Sequence, residues 1–289
     1  MPSISNDYIS IIVATKGAEL QSLYHKQHKL EYMWSGDPAF WGKHSPVLFP
    51  IVGELKNKTY QYNGENYNLS RHGFAREMEF EVSEQSENSI AFVLQSNEET
   101  LEKYPFQFKF YVVYTLLESS LQITFIVENL GSDNMLFSVG AHPAFKVPLI
   151  DGTSFVDYRL VFDKTETIGR WPISPDGLIE ITSQPLLNNE TILPLKKEMF
   201  SADAIVLKEL ESTSISITSP KTEHGLKVRF ENFPFLGIWS TKGADFVCIE
   251  PWCGIADSVN ASGNFKEKEG INTLAPSGKF EVSYHIELF

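Results

Sequence analysis

The run KFEVSYHIEL, Lys279–Leu288, decides the fold. Phe280, Val282, Tyr284, Ile286 and Leu288 alternate with Lys279, Glu281, Ser283, His285 and Glu287. Strict period-two alternation describes a half-buried strand of an antiparallel sheet. Working outward, Leu226, Val228 and Phe230 repeat the pattern against Lys227, Arg229 and Glu231. Leu121, Ile123, Phe125 and Val127 do so again, just after the run Phe108–Leu117. Within residues 59–69, TYQYNGENYNL, the pair Asn63-Gly64 suits the positive φ angles of a tight hairpin turn. Further strands are expected at Ser89–Gln95, Ser214–Ser219 and residues 136–141, 157–162, 235–241 and 245–250. Helical signals are confined to residues 97–101 and 195–202, and residues 151–195, with Pro172, Pro175, Pro185 and Pro194, read as the most loop-rich part.

No repeat, linker or change of composition divides the 289 residues. The expected architecture is all-β: one large antiparallel β-sandwich domain over residues 1–289, with a barrel as the alternative. A doubly wound α/β fold would need regularly alternating long helices, and the sequence lacks them. The formal net charge of −13 opposes electrostatic capture of nucleic acid or of an anionic membrane. It leaves a small anionic ligand open, since a local basic pocket can exist on an acidic protein. Two cysteines, Cys248 and Cys253, are too few for a disulfide framework or a four-cysteine zinc site. No segment approaches the roughly 18 unbroken apolar residues of a membrane helix. The opening MPSISNDYISIIVATKG lacks a basic leader and reads as a first strand. A reduced, cytoplasmic protein is the expectation.

Dinucleotide, phosphate-loop, zinc-protease, nucleophile-elbow and EF-hand signatures are absent from the sequence. Three clusters instead set an ionisable residue beside Gly or Pro at the edge of a strand: Arg71-His72-Gly73-Phe74-Ala75-Arg76, Gly140-Ala141-His142-Pro143-Ala144-Phe145, and Cys248-Ile249-Glu250-Pro251-Trp252-Cys253-Gly254. Phe246, Cys248 and Glu250 share one strand face, with Val247 and Ile249 on the other. A carboxylate closing an apolar face is expensive unless solvated or paired. Pro143 and Pro251 hold the preceding residue extended, which suits a preorganised site. Of the remaining histidines, His285 on a polar strand face, His25 and His28 in a polar turn and His224 in a turn beside Gly225 read as bland, while His44 follows Lys43 in a loop placed to border a cleft.

These segments, with GAELQSL at residues 17–23 and SPVLFPIVG at residues 45–53, run in the order of a known family. The chain resembles the aldose 1-epimerase (galactose mutarotase) family, especially the bacterial branch close to the hexose-6-phosphate mutarotases. The resemblance implies a galactose-mutarotase-type supersandwich and anomer interconversion of a sugar with neither cofactor nor metal. It implies Glu250 as catalytic base, His142 as catalytic acid and His72 as a positioning histidine. The partner would be a small-molecule sugar, with the chain acting as a monomer or homodimer. Arg71 and Arg76 are candidates for hydroxyl or phosphate contacts, and Phe74, Trp239 and Trp252 for packing on sugar C–H faces. Opposite charges nearby are expected to lower the pKa of Glu250 and raise that of His142.

One departure stands out. Where this branch commonly carries an arginine after FPIVG, the chain has Glu54, a negative group at a substrate-contact position. That weakens the case for a sugar phosphate. Three readings follow: an aldose 1-epimerase acting on a free hexose, a hexose-6-phosphate mutarotase, and a non-catalytic carbohydrate-binding or sensor module.

Overall fold

A computed structural model describes every residue from Met1 to Phe289. In Lys279–Leu288 the alternation becomes burial: Val282, Tyr284, Ile286 and Leu288 are buried, while their neighbours reach toward solvent. The strand pairs antiparallel with Ser120–Asn129 on one side and Thr222–Arg229 on the other, so Val282 lies opposite Phe125 and Ile286 opposite Val228. It is the middle strand of a nine-stranded sheet in the order Gln184–Pro194, Arg159–Arg170, Ser214–Ser219, Thr222–Arg229, Lys279–Leu288, Ser120–Asn129, Phe108–Leu117, Ser89–Gln95, Glu81–Gln85. The two outer strands of this sheet do not pair with each other, which excludes a closed barrel.

A second sheet runs Ile205–Lys208, Phe235–Trp239, Phe246–Cys253, Val139–Ala141, Val47–Leu48, and Ala144–Lys146 also pairs with Phe246–Cys253. Every residue of Phe246–Cys253 is buried, because both faces of this strand are covered. Val247 and Ile249 point into the main core, a continuous cluster of 66 buried residues. Phe246 and Cys248 point the other way, into a small apolar cluster with Trp34, Ala144 and Ala244. The face expected for Phe246, Cys248 and Glu250 is therefore turned away from the core and toward the cleft. Aromatic rings weld the sheets together: Phe49 stacks on Phe110 at 4.6 Å, and Phe137 meets Phe280 edge-on at 5.2 Å. Offset and edge-on aromatic pairs add roughly 0.5–1.5 kcal/mol each beyond area burial.

The Asn63-Gly64 hairpin forms as expected, joining Thr59–Tyr62 to Glu65–Asn68 with φ of 50° and 88° at the turn. Residues 97–101 fall in the helix Glu98–Lys103, whose first turn is capped by reciprocal hydrogen bonds between Asn97 and Thr100. Residues 195–202 form only a 3-10 turn, Lys197–Phe200. Residues 136–141 divide into Met135–Phe137, paired with Asn272–Leu274, and Val139–Ala141 in the second sheet.

Residues 151–195, read as the most loop-rich part with a strand at 157–162, contain two long paired strands, Arg159–Arg170 and Gln184–Pro194. Register shifts break their alternation, and Pro185 and Pro194 are tolerated because their strand is the sheet's edge, where no ladder N–H is required. The histidines His25, His28 and His224 are also not isolated turn residues. His25 ends the strand Leu20–His25 and is buried, its ring 3.7 Å from that of His28, which lies 4.5 Å from His224. This contact joins residues some 200 positions apart, so no local pattern announces it. His285 is half-buried and hydrogen-bonded to Gln122 across the strand pair at 3.2 Å.

Candidate active site

The three ionisable clusters converge on one cavity of about 390 Å³ at the outer face of the second sheet. Each is delivered by a local device. His72 and Gly73 both have positive φ, 69° and 74°. A Cβ on residue 73 would stand 2.3 Å from the Phe49 carbonyl oxygen, so only glycine fits there. This left-handed turn presents the His72 ring to the cavity and tucks the backbone under residues 49–53. The His72 amide donates to the Gly53 carbonyl at 2.8 Å, and the Gly53 amide donates to His72 Nδ1 at 3.1 Å. With Nδ1 accepting, the proton of the neutral ring belongs on Nε2, leaving one donor for the cavity. Burial, followed by the charges of His142, Arg71 and Arg76, holds His72 well below the ordinary imidazole value.

His142 follows the strand Val139–Ala141, whose neighbour across the ladder is Phe246–Cys253 with Glu250. The pairing brings His142 Nε2 to 3.4 Å from Glu250 Oε2, although 108 positions separate them in the chain. Opposite Glu250 in the next strand stands Gly237, which leaves room for the Trp252 ring: a Cβ there would lie 2.4 Å from it. Trp41 stacks on the His142 ring with centroids 5.0 Å apart, and Trp239 meets the same ring edge-on at 5.5 Å. The His72 ring stands at 5.7 Å, nearly perpendicular.

The electrostatics reverse the sequence expectation for the pair. Burial dominates: it pushes the Glu250 carboxyl well above its ordinary value, against the pull of Arg71 and with a further push from Asp203. Burial also drives His142 down to about 3, assisted by the charges of Arg76 and Arg71. Burial thus favours the uncharged form of both partners, a protonated Glu250 carboxyl and a neutral His142 ring. Desolvation outweighs mutual attraction because the Glu250 side chain is only 2% exposed and that of His142 10%.

The other expected contacts divide. Arg71, Arg76, Trp239 and Trp252 line the cavity. Phe74 does not. It is buried in the main core against Phe49 and Tyr104, because the turn at His72–Gly73 breaks the alternation that would have placed it beside His72. Glu54 is likewise not on the cavity wall. It is nearly buried behind Gly177, and its Oε1 accepts from the Leu55 amide at 3.2 Å. Its charge is felt only through neighbours, Arg76 among them. Lys56 and Lys58, just after Glu54, lie in a 3-10 turn.

Two wall residues carry no signal in the sequence. Asp203, at φ of 74°, grips Arg71 through both guanidinium Nη atoms at 3.3–3.4 Å. Trp41 lies just after a turn at Asp37–Phe40. For a metal, one donor set is close enough: a ring nitrogen of His142, the thiol of Cys248 and a carboxylate oxygen of Glu250 lie within 4.8 Å of one another. Both cysteines are unpaired and buried, and no helix is long and apolar enough to cross a membrane.

Known proteins resemble the chain over its whole length. The aldose 1-epimerase family profile matches residues 2–286. Protein LacX of Lactococcus lactis subsp. lactis, in its chromosomal form, is 36% identical over 294 residues, covering 99% of this chain and 98% of that protein. The X-ray structure of a galactose mutarotase related enzyme from Lactobacillus acidophilus superimposes with a TM-score of 0.95 at 36% identity, covering 100% of this chain and 97% of the other. A galactose mutarotase-like protein from Lactobacillus casei gives 0.94 at 33%, with both chains covered completely. The chain is a member of the aldose 1-epimerase family.

Proposed function

We propose that this protein interconverts the α and β anomers of an unphosphorylated aldose, by acid–base opening and reclosure of the sugar ring. The observation that carries the reading is the His142–Glu250 contact of 3.4 Å on the floor of a cavity of about 390 Å³. That volume falls in the range of small-ligand sites. A module that only held a sugar would have no use for a buried proton donor and acceptor side by side.

A cyclic hemiacetal opens when the C1 hydroxyl loses a proton and the ring oxygen gains one. The His142–Glu250 pair holds one transferable proton between its two members. With that proton passed to His142, Glu250 becomes the carboxylate that takes the hydroxyl proton, and His142 the imidazolium that protonates the ring oxygen. His72, donating from Nε2, stabilises the charge that develops on oxygen. Rotation about C1–C2 and the reverse transfers close the ring on the opposite face. Trp41 and Trp239 fix the imidazole plane against which this happens.

The active form is thus the singly protonated pair, which predicts the pH profile. kcat/KM, which reports groups of the free enzyme, is expected to hold through the acidic range toward the low value of His142. It should decline on the alkaline side, where Glu250 surrenders its proton. An acidic limb centred on the ordinary imidazole value of 6.5, with no alkaline limb, would show His142 charged in the free chain and contradict this proton inventory.

For the substrate, Arg71 is neutralised by Asp203, and Glu54 stands behind the same wall. These carboxylates disfavour a phosphate dianion. Arg76 is the observation that favours the second reading, a hexose 6-phosphate, because it lines the cavity with its Nε buried and without a hydrogen-bond partner, 3.9 Å from Glu77. Polarimetry or NMR on fresh α-glucose, α-galactose and α-glucose 6-phosphate decides. Free sugars are expected to equilibrate faster with the protein than the phosphate does. Preference for the phosphate selects the second reading, and sugar binding without acceleration of any aldose selects a carbohydrate-binding module.

A further inference from the structure

We propose that His142, Cys248 and Glu250 form a binding site for a thiophilic divalent cation, zinc above all, and that occupation of this site switches off the cleft. The donors already stand close to a coordination shell. Bond lengths of about 2.0–2.1 Å to nitrogen and oxygen and about 2.3 Å to sulfur give tetrahedral edges of about 3.4 Å and 3.6 Å. The His142–Glu250 separation is 3.4 Å, and all three donor atoms lie within 4.8 Å of one another. Small rotations of the Cys248 and His142 side chains would complete the set. No hydrogen bond at the buried His142 Nδ1 opposes such a rotation within the plane that Trp41 and Trp239 set.

Position supplies the open coordination site. Cys248 and Glu250 lie two apart on one strand face, so both reach the same side of the sheet. Glu250 and His142 line the cavity, whereas Cys248 lies beneath them against Ala144 and Trp239. An ion held by the three would keep its fourth position facing the cleft. One thiolate, one imidazole and one carboxylate suit zinc, cobalt or cadmium rather than magnesium or calcium, which take oxygen shells.

Charge balance permits it at this depth. In their uncharged forms the donors, a thiol, a carboxyl group and an imidazole, sum to zero. Binding a dication displaces the thiol proton and the carboxyl proton to solvent, and the resulting complex again sums to zero. No net charge is buried, and that cost would otherwise be prohibitive. Among the other ionisable groups lining the cleft, Arg71 is paired with Asp203 and His72 is neutral, so Arg76 is the one left opposing a cation.

The switch-off rests on the anomerisation reading; the binding does not. The full chain, reduced and freed of metal with a chelator, is titrated with cobalt(II). One equivalent is expected to bring up a thiolate-to-cobalt charge-transfer band in the near ultraviolet, which zinc then abolishes by displacement. In parallel, zinc should inhibit anomerisation, and release of two protons per ion should appear as a buffer-dependent binding enthalpy. Cys248→Ser should keep its metal-free rate, lose the band and need more than about tenfold more zinc for half-inhibition. Cys248→Ala serves if the serine variant does not fold, and Cys253→Ser should keep the band. No band with cobalt in large excess, or a band that disappears with Cys253 instead, overturns the site. A band with undiminished activity under zinc overturns the switch-off. A band from a chain that equilibrates no aldose leaves the site standing and removes the anomerisation reading.

Discussion

Replacing Glu250 with glutamine is expected to lower kcat for anomer equilibration by about 10²–10⁴-fold while sugar binding stays measurable. The amide matches the carboxyl group in size and can still donate and accept hydrogen bonds, so the cavity keeps its shape. What it cannot do is hold a transferable proton and then accept another. The fold should survive, because the carboxyl group it replaces is buried and its charged form is disfavoured there. The melting temperature of Glu250→Gln should therefore match or exceed that of the parent. Polarimetry on fresh α-galactose, with a thermal melt on the same sample, checks both halves. A variant that turns over at the parent's rate removes Glu250 from the chemistry. A variant that is inactive because it is unfolded leaves Glu250 as a packing residue.

His142→Asn is expected to cost a comparable factor, and the informative measurement is the double variant. If the two side chains share one proton, either substitution alone breaks the relay, and the second has little left to remove. Glu250→Gln/His142→Asn should then be no slower than the slower single variant, within a few-fold. Losses that multiply would mean two independent catalysts, and the single-proton account would fail. Asparagine also vacates the slot between Trp41 and Trp239, so part of any loss would come from mispositioning. A rise in KM with kcat preserved would assign His142 to binding alone.

The candidate trio His72, His142 and Glu250 was legible in the sequence because each member sits in a short segment whose chemistry is local. A histidine before glycine, a histidine before proline and a glutamate before proline all mark stiff backbone: His72 lies in a turn, His142 just past a strand, and Glu250 inside Phe246–Cys253, which runs on past the expected end at residue 250. Phe74 was misplaced by the same local logic. Reading it as a companion of His72 assumed an extended chain, whereas two successive left-handed residues turn it into the core. Asp203 and Trp41 were invisible for the opposite reason. Each lies in or beside an unpatterned turn and reaches the cavity only through long-range packing: Asp203 meets Arg71 across 132 positions, and Trp41 meets His142 across about a hundred. The protonation order of Glu250 and His142 failed similarly, since charge proximity is readable from residue types but the depth of burial is not. The framework fared better. Period-two runs marked the central strands of the large sheet, whereas most of the bulged, proline-bearing pair at one side and the exposed edge strand Glu81–Gln85 at the other escaped.

That bulged pair has a consequence for how the protein behaves in a crowded solution. An open sheet carries two rims whose unsatisfied amides can recruit a strand from another molecule and seed fibre growth. On one rim here, Gln184–Pro194, two prolines remove donors from the row and the register shifts kink it. On the other, Glu81–Gln85 is short, fully exposed and carries Glu81 and Glu84, which repel a second copy of themselves. The same irregularity that hid a strand pair from a reading of alternation thus keeps a wide, sticky surface from becoming a template for aggregation.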